Sequence, residues 1–131
     1  MDPISEWMTT NVVTIEKNKS VKQAAQLMDA HDIGTLVVME GKKPIGIFTE
    51  RDILRQIVAM DINPANVELG TFMTRQVITA PENADIAEIS RTMTLHHVKR
   101  IPVVNKDSEL VGIITSTDLL KIMAKKFSIG K

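Results

Sequence analysis

The chain has no cysteine among its 131 residues, so it has no disulfide framework and no thiolate chemistry, a composition that fits a reducing compartment. It also lacks an excess of either charge. Sixteen basic residues balance sixteen acidic ones, and without a long-range positive field it is poorly suited to duplex DNA or an anionic membrane surface. No apolar run approaches the roughly 18 residues of a membrane span. Met1-Asp2-Pro3-Ile4 opens without the basic segment and apolar core of a secretory signal. We therefore expect a cytoplasmic globule that uses neither nucleic acid nor membrane as a partner. Histidine is scarce, with only His31, His96 and His97, and without cysteine or a convergent carboxylate cluster no metal site is expected. No nucleophile stands beside a base, and no paired acids mark a catalytic cleft, so an enzyme is not expected.

An apolar fraction of 44% is ample for one compact domain or two small halves. One stretch occurs twice, as Gly46-Ile47-Phe48-Thr49-Glu50-Arg51-Asp52-Ile53-Leu54 and as Gly112-Ile113-Ile114-Thr115-Ser116-Thr117-Asp118-Leu119-Leu120. Each is an apolar strand running directly into a helix. Thr-x-x-Asp before an apolar run is a capping box, in which hydroxyl and carboxylate satisfy orphan N–H groups of the first turn. It can also be more than a cap. Both copies keep a glycine three positions before the threonine, where a missing side chain weakens a strand unless something must approach the backbone closely. A helix N-terminus beside a carboxylate can hold the polar end of a small ligand, and the aspartate can accept hydrogen bonds from vicinal hydroxyls such as those of ribose.

Sliding the sequence on itself by about 65 residues reveals a repeat. Trp7-Met8-Thr9-Thr10-Asn11-Val12-Val13-Thr14 falls on Phe72-Met73-Thr74-Arg75-Gln76-Val77-Ile78-Thr79, and Met28, His31 and Val38 fall on Met93, His96 and Val103. We expect a short strand at Val12-Val13-Thr14-Ile15 and a helix capped by Ser20 and ending near His31. Two strands, Leu36 to Met39 and Ile45 to Phe48, should follow, covered on both faces. The next helix should run from about Glu50 to Met60 with Ile53, Leu54, Ile57 and Val58 on one side. The second copy should repeat this with a short strand at Val77-Ile78-Thr79, a helix capped by Asp85, strands at Ile101 to Val104 and Leu110 to Ile114, and a last helix burying Leu119, Leu120, Ile122 and Met123. Pro102 belongs at a strand start or an edge. Trp7 and Phe72 should each pack the opening segment onto its own half. Met28, Met39, Met60, Met93 and Met123 should fill core gaps.

A doubled unit of strand, helix, two strands and helix closing in Gly-x-x-Thr-x-x-Asp, with a doubled Met-Thr-x-x-Val opening and Val98-Lys99-Arg100-Ile101-Pro102-Val103-Val104 before a central strand, resembles a tandem pair of CBS domains, or Bateman module. The resemblance implies an α/β (α+β) fold of two βαββα repeats packed through their sheets with pseudo-two-fold symmetry. The repeats would occupy residues 1–65 and 66–131, with cores at about 7–62 and 72–127. It further implies a regulatory or sensing module binding an adenosine nucleotide, AMP, ADP or ATP, as a regulatory ligand between the repeats, with no catalytic cofactor. Carried over residue by residue, one site would use Thr14, Ile15, Thr49 and Asp52, and the other Thr79, Ala80, Thr115 and Asp118. Lys99 and Arg100, followed by Pro102, match positions that reach phosphate, and Arg51 and His97 are further candidates.

The copies differ where this matters, because Gly34-Thr35 stands in the first where Lys99-Arg100 stands in the second. A charge-assisted hydrogen bond is worth roughly 1.5–3 kcal/mol, so we expect unequal sites, with the one containing Asp118 the tighter. The resemblance also implies a homodimer built on the motif helices, for which Ile57, Val58, Ile122 and Met123 are candidates, and an effector protein engaged in trans. The alternatives are a ligand-free assembly module, in which both motifs are only caps, and a sensor of another adenosyl ligand such as S-adenosylmethionine.

Overall fold

The computed structural model describes residues 3–75 and 78–127. The chain forms two compact units, a first made of Val13–Val77 and a second made of Met1–Val12 together with Ile78–Lys131. The first contains β1 (Thr14–Glu16), α1 (Val21–His31), β2 (Thr35–Glu40), β3 (Lys43–Thr49) and a single helical turn, α2 (Glu50–Asp52), continuing as a π-helix over Ile53–Val58. The second contains β4 (Ala80–Pro81), α3 (Ile86–His96), β5 (Arg100–Val104), β6 (Leu110–Thr115) and α4 (Ser116–Phe127). Each unit is thus a βαββα layer with one three-stranded sheet, ordered β1-β2-β3 and β4-β5-β6. In each, the central strand pairs in parallel with the short first strand and antiparallel with the third.

Local chemistry explains the element ends. The Ser20 hydroxyl accepts from the Gln23 amide at 3.0 Å while the Gln23 side chain accepts from the Ser20 amide at 2.9 Å, a reciprocal cap on α1. Glu88 reaches back to the Asp85 amide at 3.4 Å to start α3. α1 and α3 stop at equivalent residues, Asp32 and His97, both left-handed with φ of 52° and 54°; short polar residues and histidine tolerate this conformation better than most. β2 buries four consecutive residues and β5 three, whereas β3 and β6 bury only alternate ones. Coverage on both faces is therefore a property of the central strands only.

Several expectations shift. The first strand begins at Thr14, and the second at Ala80; Val77, expected to open it, lies outside the described residues. Pro102 is at neither an edge nor a start but is the third residue of the central strand β5, opposite Ile113. The Ile113 amide and carbonyl are both used by Thr9, at 2.9 Å each, so the Pro102–Ile113 pair needs no N–H from proline. The missing donor faces β4, and β4 is shortened accordingly: β1 opens its ladder with Thr14 opposite Val37, whereas β4 starts only at Ala80 opposite Val103.

The opening segments pack in a way the repeat alone does not disclose. Trp7 and Met8 pack into the core that contains Ile101, Val103 and Ile114, and Phe72 and Met73 belong with Leu36, Val38 and Phe48. Each opening aromatic therefore covers the strands of the other repeat, not of its own. The backbones pair as well: Thr74 exchanges two 2.9 Å hydrogen bonds with Ile47, as Thr9 does with Ile113. This close approach is what the two glycines permit. A Cβ on Gly46 would lie 2.8 Å from the Thr74 carbonyl oxygen, and one on Gly112 would lie 2.9 Å from that of Thr9. The Lys125 ammonium sits 5.3 Å from the centroid of the Trp7 ring, a cation–π distance.

In the helices after β3 and β6, Ile57 and Ile122 are each 1% exposed and belong to the interior, so they cannot form a dimer face. Leu54, Val58, Leu120 and Met123 are instead 53–64% exposed or slightly more, Leu120 reaching 65%. Of the five methionines expected to fill gaps, Met28, Met39 and Met93 do so, while Met60 and Met123 are exposed.

Candidate functional site

The antiparallel register brings the end of β3 beside the start of β2, with Thr49 opposite Thr35, and β1 begins two residues further along, with Thr14 opposite Val37. Thr14, Gly34 and the Thr49 turn therefore gather at one end of the first sheet. There the Thr49 amide and hydroxyl donate to Asp52 Oδ2 at 2.9 and 3.1 Å, and the Asp52 amide donates to Thr49 Oγ1 at 3.2 Å. The other oxygen, Oδ1, is also engaged: Gln56 Nε2 donates to it at 3.1 Å and to the Phe72 carbonyl at 2.9 Å. Ile15 is buried, and Thr14 is half-buried. Arg51 is exposed.

The second sheet repeats the arrangement with different side chains. Arg100 starts β5 opposite Thr115 at the end of β6, and the Ser116 amide donates to the Lys99 carbonyl at 2.9 Å. The Thr115 amide donates to Asp118 Oδ2 at 2.8 Å, and the Asp118 amide to Thr115 Oγ1 at 3.2 Å. Asp118 Oδ1 has no hydrogen-bond partner among the described residues, because the residue equivalent to Gln56 is the buried Ile122. Lys99 and Arg100 are exposed and make no ion pair among the described residues. Ala80 and Pro102 are buried, so they contribute backbone and shape, whereas Thr79 is exposed. His97 is exposed and serves as the left-handed residue closing α3.

The structure thus joins Thr49 with Asp52 and Thr115 with Asp118 directly, and sets Lys99 and Arg100 beside the second pair. Both aspartates are helix caps. Two residues that the sequence reasoning passed over alter the first half-site. Gln56 occupies the second oxygen of Asp52, and the Glu50 carboxylate lies over Gly34, where a Cβ would meet its Oε1 at 2.7 Å. The available signal was the repeat itself, since Glu50 faces Ser116 and Gln56 faces Ile122 in the alignment. Beside Gly34 and Glu50 a cavity of about 380 Å³ is also lined by Asp29, Asp32 and Ile53. Among the described residues no group of three His, Cys, Asp or Glu side chains could hold a metal ion, and no helix is long and apolar enough to cross a membrane.

The sequence model of the CBS domain matches this chain twice, over residues 4–59 and 68–125. An uncharacterized protein of Methanocaldococcus jannaschii, MJ0653, is 41% identical over 120 residues, covering 92% of this chain but only 61% of that protein; this chain thus spans about three-fifths of that relative's length. Hypoxic response protein 1 of Mycobacterium tuberculosis is 30% identical over 92% of this chain and 85% of its own. A crystal structure of Hypoxic Response Protein I with two coordinated zinc ions superposes with a TM-score of 0.81, 29% identity, and coverage of 92% and 98%. The CBS domain pair of protein MJ0100, solved in complex with 5'-methylthioadenosine and S-adenosyl-L-methionine, gives a TM-score of 0.81 at 28% identity, covering 96% of this chain and 98% of that one.

Proposed function

We propose, starting from the fact that this chain belongs to the CBS domain family and carries two such domains in tandem, that it senses an adenosine nucleotide and reports it to a partner protein in trans. A CBS domain pair is a regulatory module; the ligand and the partner are the proposal. The observation that carries it is the state of Asp118. One carboxylate oxygen caps α4, the other is unclaimed among the described residues, and two exposed cations, Lys99 and Arg100, stand at the adjoining strand end. An open carboxylate oxygen accepts from ribose hydroxyls, and cations beside a helix N-terminus favour phosphate. Thr79 and the Ala80 backbone would flank the base, and Thr115 would lie near the sugar.

A second reading, recognition of S-adenosylmethionine or a related thioether nucleoside, is supported by the MJ0100 neighbour and uses the same aspartate. Thermal denaturation with AMP, ADP, ATP and S-adenosylmethionine separates the two, because only a ligand that binds the native state raises the midpoint. Asp118→Ala should abolish discrimination between AMP and 2'-deoxy-AMP. Unchanged discrimination in that variant would remove Asp118 from the site, and the absence of any shift with all four ligands would leave the module a ligand-free scaffold.

A further inference from the structure

We infer that Glu50 sets the charge selectivity of the first half-site, so that it rejects phosphate and accepts an uncharged or cationic nucleoside, while the second half-site takes the phosphorylated nucleotide. This rests on the nucleotide-sensing proposal and refines it. The two positions compared are equivalent in three dimensions, not merely in the alignment. The Glu50 amide donates to the Gly34 carbonyl at 3.0 Å, as the Ser116 amide does to that of Lys99 at 2.9 Å. At this junction of central strand and motif helix the first unit has Gly34 and Glu50, and the second has Lys99 and Ser116. Both members of the pair differ, and both differences run in the same sense, each leaving the first unit one charge more negative than the second.

The geometry shows why the two changes belong together. A Cβ on Gly34 would lie 2.7 Å from Glu50 Oε1, 2.8 Å from Cδ and 3.2 Å from Oε2. The carboxylate therefore occupies the volume into which a side chain at this position would grow, the volume Lys99 is free to use in the second unit. Asp29 and Asp32 line the adjoining cavity with Glu50, so no cation offsets it there. Gln56 adds to the contrast, because its amide holds Asp52 Oδ1 where Asp118 Oδ1 is open. A phosphate held beside Gly34 and the Thr49 turn would approach the Glu50 carboxylate as a like charge, which costs on the order of tenfold or more in affinity even where solvent screens it. A neutral nucleoside meets no such penalty.

The experiment is calorimetric titration of the full chain with ADP and, separately, with adenosine, using wild type, Glu50→Ser and Glu50→Gln. Glu50 is exposed and serine is what the other repeat carries, so the fold should survive; circular dichroism checks it. Wild type should bind one ADP per chain in the accessible range. Both variants should gain a second ADP site, or tighten the weaker one at least tenfold, with adenosine affinity changed by less than about twofold. Two equivalent ADP sites in wild type would overturn the inference while leaving nucleotide sensing intact, as would an ADP isotherm unchanged by either substitution. A gain with Glu50→Ser but none with Glu50→Gln would assign the effect to volume and overturn the role of charge. If neither ADP nor adenosine binds any of the three proteins, the nucleotide-sensing proposal itself fails, and this inference fails with it.

Discussion

Replacing Gly112 with alanine tests whether the exchanged opening segment holds the second unit together. The added Cβ would lie 2.6 Å from Met8 Sδ, 2.9 Å from Met8 Cγ and 2.9 Å from the Thr9 carbonyl oxygen. The methionine can swing away, but the carbonyl cannot. It is fixed by the paired 2.9 Å hydrogen bonds between Thr9 and Ile113, and restoring an ordinary carbon–oxygen contact requires about 0.5 Å of separation, which weakens both. Two weakened hydrogen bonds at about 1 kcal/mol each and an overpacking cost of roughly 1–3 kcal/mol outweigh the gain of about 0.5–1 kcal/mol from a stiffer unfolded chain. The net is a loss of about 2–4 kcal/mol, a large part of the roughly 5–15 kcal/mol that holds a domain folded. Trp7, the single tryptophan, packs in this core, so urea unfolding followed by its fluorescence reads the affected unit. Gly41→Ala is the control: it has open space around its Cβ but a φ of 64°, so it should lose only about 1 kcal/mol through backbone strain. Met8→Ala combined with Gly112→Ala should recover less than half of the loss, because the carbonyl remains. A Gly112→Ala protein as stable as wild type would refute the close-approach explanation and return the glycine to a ligand-facing role.

Two further outcomes follow from the surface. Leu54 in the first unit and Leu120 in the second, at equivalent positions of their repeats, are 61% and 65% exposed, and Val58 and Met123 of the expected dimer face are 64% and 53% exposed; if these helices carry a homodimer, Leu120→Glu should yield a monomer by sedimentation velocity at concentrations where wild type is dimeric, and a wild type that is already monomeric would remove that expectation. The Lys17 ammonium hydrogen-bonds to Glu40 and attracts it, holding the Glu40 carboxyl below its ordinary range. A depressed carboxyl stabilises the fold above its unfolded pKa and ceases to do so as pH falls through its folded value. The pair is exposed and screened, so Glu40→Gln should lower the melting temperature slightly near about pH 7 at low salt. That difference should vanish in acid or at about 1 M salt, and a difference that persists in acid would exclude the ion pair as its source.

The residues that made the fold legible from sequence are those whose role is local. Ser20 with Gln23, and Thr49 with Asp52, are caps whose spacing alone predicts their hydrogen bonds. The βαββα order was readable because each element carries its own apolar period. What sequence could not show was which partner an element covers. Trp7 and Phe72 look alike, and nothing in their neighbours says that each packs on the strands of the other repeat. Gln56 meets Asp52 Oδ1 at the ordinary i, i+4 spacing of a helix, but nothing local says that the same amide also reaches the Phe72 carbonyl. The helix there widens to a π-helix, with the Ala59 amide reaching the Leu54 carbonyl at 3.0 Å, and the predicted run of apolar residues on one side splits into the buried Ile57 and the exposed Leu54 and Val58. Pro102 was misplaced for a related reason. Its tolerance in a central strand depends on the pairing register, which turns the missing N–H away from Ile113 and toward β4, and on β4 starting only at Ala80 opposite Val103.

Capping and ligand recognition are not competing explanations of the Thr-x-x-Asp motif, because a carboxylate has two oxygens and a cap uses one. At Asp118 the cap fixes Oδ2 at 2.8 Å from the Thr115 amide, and that bond aims Oδ1 with little freedom left to lose on binding, a form of preorganisation. At Asp52 the same cap is present, but Gln56 claims the second oxygen, so a ligand there must first displace an existing hydrogen bond. The Thr-x-x-Asp spacing is intact in both repeats, so the state of the second carboxylate oxygen differs through the residue one helical turn beyond it: an amide in the first repeat, and in the second an isoleucine that is 1% exposed and cannot reach back.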